Sequence, residues 1–135
     1  MPTIADYVVL TDAPFTLPPQ TPPGDRHLRF DAPRVSPSAR SILAFRVNPH
    51  VGAGEVTLRM RLNDAAPLVQ VFDTEPQRSW HEVFAAGTLK ATGNELAVSV
   101  PADSGGGSID VSDIVIFFQA DIGGVLPGDV GVKPT

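Results

Sequence analysis

Residues 55–63 read Glu-Val-Thr-Leu-Arg-Met-Arg-Leu-Asn, and this stretch restricts the fold more than any other in the chain. Val56, Leu58, Met60 and Leu62 alternate with Thr57, Arg59, Arg61 and Asn63. On a helix these residues would circle the axis. On a strand they separate onto two faces, one apolar and one polar. A strand of this kind needs a second apolar layer against its inner face. Asn63-Asp64 ends it as a turn.

The same period recurs along the chain. Tyr7, Val8 and Val9 mark a short strand over residues 5–10, and residues 27–30 alternate as His27, Leu28, Arg29, Phe30. Leu43, Phe45 and Val47 share a face over residues 41–47, and residues 49–54 form a turn. Further strands are expected at 68–72 and 80–84, then after the Gly93-Asn94 turn, where Leu96, Val98 and Val100 alternate. The last strand lies within 109–118. Its run Ile114-Val115-Ile116-Phe117-Phe118 suggests a strand covered on both faces.

About eight short strands separated by turn signals predict an all-β fold, an antiparallel, jelly-roll-like sandwich in a single domain over residues 1–122. The chain has 135 residues, enough for one core, with 12 Gly and 14 Pro to punctuate it. Five prolines between Pro14 and Gly24 exclude a helix or a central strand, so residues 14–25 are expected as a Pro-rich arm or loop. Residues 123–135, GGVLPGDVGVKPT, are expected as a flexible tail. Extended arms of this kind suit contacts with neighbouring subunits.

From residue 55 onward the chain resembles the jelly-roll modules of the galactose-binding-like and carbohydrate-binding-module type. The resemblance rests on VTLRMRLND, SWHEV, TLKATGNELAVSV and IDVSDIVIFFQ, and covers residues 55–120. It implies the sandwich fold, with Gly93-Asn94 turning into a core strand. It also implies two kinds of function, because such modules mostly bind sugars and the fold also serves in cell-surface and virus-particle assemblies.

Charge narrows the partners. The net charge is −5, which argues against nucleic acid. The charge is uneven: residues 1–63 hold seven Arg and five acids, and residues 64–135 hold three basic residues and ten acids. No stretch is apolar for long enough to span a bilayer, and the N-terminus lacks the pattern of a signal peptide, so synthesis in the cytoplasm is expected. The absence of Cys excludes disulfides and thiolate metal sites.

Three patterns touch on chemistry, and each has a plainer explanation. Ser104 within ADSGGG resembles a protease nucleophile loop, with His50 as its nominal base; a Gly-rich hairpin tip explains it better. His81-Glu82 lacks the second histidine of a zinc helix, since position 85 is Ala; His27, His50 and His81 are far apart in the chain. Asp103, Asp110, Asp113 and Asp121 do not have the spacing of a calcium loop. No enzyme activity, cofactor or metal is therefore expected.

The alternation leaves Arg29, Arg46, Arg59 and Arg61 on outward positions of three strands. These arginines are the candidate site for docking on an acidic partner, with Asn63 and Gln70 as further polar contacts. Trp80, the only Trp, is expected to pack in the core. The leading expectation is a structural or assembly subunit of a virus-like or phage-like particle (a decoration, adaptor or tail-type protein), oligomeric and acting by protein–protein docking. The alternative is a carbohydrate-binding, lectin-like module.

Overall fold

The alternation at residues 55–63 becomes the strand β5, Val56–Leu62, with Val56, Leu58, Met60 and Leu62 buried and Arg59 and Arg61 exposed. The computed structural model describes residues 2–17, 26–51, 54–101 and 107–122. Within these it contains nine strands: β1 (Thr3–Thr11), β2 (Phe15–Leu17), β3 (Arg26–Phe30), β4 (Ser41–His50), β5, β6 (Leu68–Phe72), β7 (Arg78–Phe84), β8 (Asn94–Ser99) and β9 (Ser108–Asp121). Among the described residues no helix is long and apolar enough to cross a membrane.

The strands form two antiparallel sheets. One runs β1-β9-β4-β7, with β2 also paired to β9; the other runs β3-β8-β5-β6. From β2 onward the chain crosses between the sheets at every step except β5 to β6, which pair directly, and this is the wrapped order of a jelly roll. The core lies between them. Leu43, Phe45 and Val47 of β4 and Ile114, Ile116 and Phe118 of β9 face β5 residues and Leu96 and Val98 of β8. Pairing of strands far apart in sequence brings these apolar faces together, and their burial is the main driving force for the fold.

Three details depart from the sequence reading. The unexpected strand is β2, inside the expected Pro-rich arm. Phe-Thr-Leu between prolines keeps its N–H groups, pairs with Ile109–Val111 of β9, and buries Phe15 and Leu17. Residues 18–25 of that arm, the tail at 123–135 and Ser104 lie outside the described residues. Strand β4 continues to His50, taking the first two residues of the expected turn, and Pro49 is buried opposite Ile109.

The third departure concerns β9, which is not covered on both faces. The φ of Asp113 is 53°, and the β4–β9 register shifts between Ala44 and Arg46. This β-bulge reverses the phase of the strand. Ile109 and Val111 face the core before it, and Ile114, Ile116 and Phe118 face the core after it. A continuous apolar run therefore has a buried set and an outward set, Val115 and Phe117, and Phe117 is 45% exposed.

One end of the sandwich is tied by two amides. Asn94 is fully buried: its Oδ1 accepts from the Lys90 backbone N–H (2.8 Å) and from Asn63 Nδ2 (2.9 Å), while its Nδ2 donates to the carbonyls of Lys90 (2.7 Å) and Phe30 (3.3 Å). Asn63, at φ 52°, also donates to Thr88 O and accepts from Glu95 N–H. Asn tolerates this left-handed conformation better than most residues because its short side chain bonds locally.

Candidate functional site

The register of the first sheet aligns its outward apolar residues. Tyr7 of β1 lies opposite Phe117 of β9, Phe117 opposite Ile42 of β4, and Ile42 opposite Val83 of β7. One apolar row thus crosses four strands on the face turned away from the core. The adjacent row is Val9, Val115, Ala44 and His81. Tyr7, Val9, Ile42, Val83 and Phe117 are 40–60% exposed. Scattered exposed apolar residues need no explanation, but a contiguous patch on a sheet face marks a contact surface. The Tyr7 and Phe117 rings lie 6.2 Å apart and tilted by 42°, so they make an uneven surface and not one flat platform.

Polar groups border this patch at the β2 end of the sheet. Asp110 accepts a hydrogen bond from the Thr16 hydroxyl through Oδ1, and its Oδ2 lies 2.8 Å from His50 Nε2. Burial pushes the Asp110 carboxyl up, but the bonds from Thr16 and His50 outweigh it and hold the group below the ordinary carboxylate range. Arg46 reaches Asp113 at 3.9 Å, where the bulge places that carboxylate on the outer side. Among the described residues no three His, Asp or Glu side chains gather as a metal site.

The structure separates the residues expected to form one arginine surface. Arg29, Arg59 and Arg61 lie on the outer face of the β3-β8-β5-β6 sheet, while Arg46 lies on the outer face of the opposite sheet, because β4 pairs with β7 and β9. Arg29 bonds Glu95 at 3.1 Å, and His27 reaches the same carboxylate at 3.3 Å. The hydrogen bonds from Arg29 and then His27 hold the Glu95 carboxyl below the ordinary carboxylate range. Arg59 and Arg61 are exposed and pair with no carboxylate among the described residues.

The two polar candidates also diverge. Asn63 spends its amide inside the molecule on Asn94, Thr88 and Glu95. Gln70 turns inward from β6 and lines a slot of about 210 Å³ between the β6 and β7 edges, with Trp80, Glu82 and Leu68. Trp80 is half-buried there, edge-on to Phe72 at 6.0 Å, and its Nε1–H donates to Glu82.

The sequence reading missed the apolar outer row. Its signal was present: Tyr7 and Val9 fall on the outward phase of β1, and Ile42 and Val83 on the outward phases of β4 and β7. Only the strand order, which makes the four residues neighbours, was hidden.

No protein-family model matches the chain, and no curated protein matches its sequence. The fold is similar to part of dimeric latent PorU from Porphyromonas gingivalis, with a TM-score of 0.65 and 10% identity over 90% of this chain. The match spans 13% of the PorU chain, so this domain corresponds to a small part of that protein. A family 16 carbohydrate-binding module matches with a TM-score of 0.44 and 14% identity, over 76% of this chain and 74% of its own. The coat protein of tobacco streak virus matches with a TM-score of 0.41 and 13% identity, over 91% of this chain and 90% of its own. The neighbours thus include both carbohydrate-binding modules and viral capsid proteins, and at these identities the likeness is one of fold.

Proposed function

We propose that this domain is a non-enzymatic docking module, an assembly subunit whose β1-β9-β4-β7 face is covered by another protein in its working state. The apolar row Tyr7–Phe117–Ile42–Val83 carries this reading. A central strand with apolar residues on both sides has a cover on its core side and needs one on the other. The covering surface has an apolar centre and basic groups at its rim, where Asp110 and Asp121 flank the patch. In this reading the Thr16 and His50 bonds orient the Asp110 carboxylate at the rim.

Magnitude favours assembly over a stand-alone binder. Fully burying a large apolar side chain stabilises by about 1.5–3 kcal/mol, so five that are already half-covered supply roughly 5 kcal/mol. Association costs on the order of 4–15 kcal/mol in lost freedom. The face therefore holds a partner only with help from rim contacts or from repetition within an assembly. A repeating particle of virus-like or phage-like type, with this domain as decoration, adaptor or tail-type subunit, supplies such repetition.

The carbohydrate-binding reading draws on the exposed Tyr7–Phe117 pair. Its tilt and its neighbours Ile42, Val9 and Val83, which offer no side-chain hydrogen bonds, suit a protein better than a sugar.

The test is sedimentation of the full chain in native extracts of the cell that makes it. Wild type should travel in a large complex, and Ile42→Lys/Phe117→Lys should leave it, while Arg59→Ala/Arg61→Ala should not. A wild-type chain that sediments alone, or a charged double variant that stays in the complex, overturns the proposal. Glycan binding that is lost in Tyr7→Ala would replace it with the sugar reading.

A further inference from the structure

Sheet edges offer unpaired backbone groups, and proteins guard them with charge, proline or shortness. Here β3 carries Arg26 and Arg29, β7 carries Arg78 and Glu82, β1 carries Asp6, and β2 has only three residues. Strand β6 is the exception. It reads Leu68-Val69-Gln70-Val71-Phe72, without charge or proline, and among the described residues it pairs with β5 alone. Val69 and Val71 are 59% and 47% exposed on its outer face.

We infer that β6 pairs antiparallel with β6 of a second copy across a two-fold axis at Gln70, joining two four-stranded sheets into one of eight. The strand is self-complementary about that residue. With Gln70 opposite the second copy's Gln70, Val69 meets Val71 and Leu68 meets Phe72. Opposed residues of antiparallel strands share a face, so the valines cluster outside and the larger residues inside. The facing glutamine amides each carry a donor and an acceptor, so each can satisfy the other.

Charge agrees with this register. Extrapolating the β5–β6 pairing by one residue at each end places Pro67 beside Arg61 and Asp73 beside Glu55. The two-fold then sets Pro67 opposite Asp73. Arg61 of one copy comes two strand spacings, about 10 Å between backbones, from Asp73 of the other. Both side chains are exposed on the same face. The contact occurs twice by symmetry, and no like charges are directly opposed across the two-fold, where Asp73 meets Pro67. An isologous interface of this kind closes at two copies, which separates it from the docking face on the opposite sheet.

Sedimentation equilibrium and cysteine trapping of the full chain test the inference. Wild type should show a monomer–dimer equilibrium. Val71→Lys, at an exposed position that leaves the fold intact, should weaken the dimer on the order of tenfold or more, and Gln70→Glu should weaken it comparably at neutral pH, because like charges then face uncompensated. The chain has no native Cys, so single cysteines report cleanly. Gln70→Cys should cross-link with itself on oxidation, and Val69→Cys mixed with Val71→Cys should cross-link more than either alone. A strictly monomeric wild type, or a dimer indifferent to Val71→Lys, overturns the inference. Ile42→Lys/Phe117→Lys should leave the dimer intact. A dimer lost in that variant and kept in Val71→Lys would move self-association to the other sheet and refute the β6 register.

Discussion

Replacing Asn94 with alanine should destabilise the domain by about 3 kcal/mol, although the residue touches no proposed partner. The side chain is fully buried and makes four hydrogen bonds with Lys90, Phe30 and Asn63. Truncation takes one acceptor from the Asn63 amide, which keeps Thr88 O and Glu95 N–H, and takes the side-chain donor from the Phe30 carbonyl; a buried polar group left unpaired costs about 1–3 kcal/mol. The Lys90 backbone groups lie on an exposed residue and can turn to water, so they add little. In urea denaturation the midpoint should fall with an unchanged slope, and the melting temperature should drop by roughly 10 °C or more. A loss under about 0.5 kcal/mol would refute the assignment of these amides as the tie between the two turns.

Other expectations follow from the same geometry. Gly107→Ala places a Cβ 2.9 Å from His50 O and 3.0 Å from Glu55 O, backbone atoms that cannot swing away, and should cost about 1–3 kcal/mol in the same urea assay. Phe72→Ala should cost about 3–5 kcal/mol, since the ring is buried and meets Trp80, and a blue-shifted Trp80 emission in wild type that moves red in the variant would confirm the contact. Glu95 and Asp110 both titrate below their ordinary range when folded, so their stabilisation is present above that range and is lost as the pH falls through the folded values. Acid titrations of stability should therefore flatten below about pH 4 in Glu95→Gln and Asp110→Asn, and a variant with the wild-type slope would remove that group from the acid response.

The residues reveal much of the fold because each strand carries its own inward and outward phase. The pattern Val56, Leu58, Met60, Leu62 defines a buried face without knowledge of its neighbours. Strand β2 was hidden by the prolines on either side of it, and the β9 bulge by a run that is apolar on both phases. The site was less legible for a topological reason. Alternation says that Arg29, Arg46 and Arg59 point outward, but two sheets have two outsides, and only pairing shows that Arg46 belongs to the other one. The Tyr7–Phe117–Ile42–Val83 row has the same origin: four residues from four segments become neighbours through register alone.

The most direct test of the covered face is hydroxyl-radical footprinting of the full chain, isolated and in its native assembly, read by mass spectrometry at Tyr7 and Phe117. Both rings are exposed in the isolated domain and should be oxidised readily there. Their oxidation should fall several-fold in the assembly while His27, on the opposite sheet, reacts as before. Equal oxidation of Tyr7 and Phe117 in the two states would show that nothing covers this face.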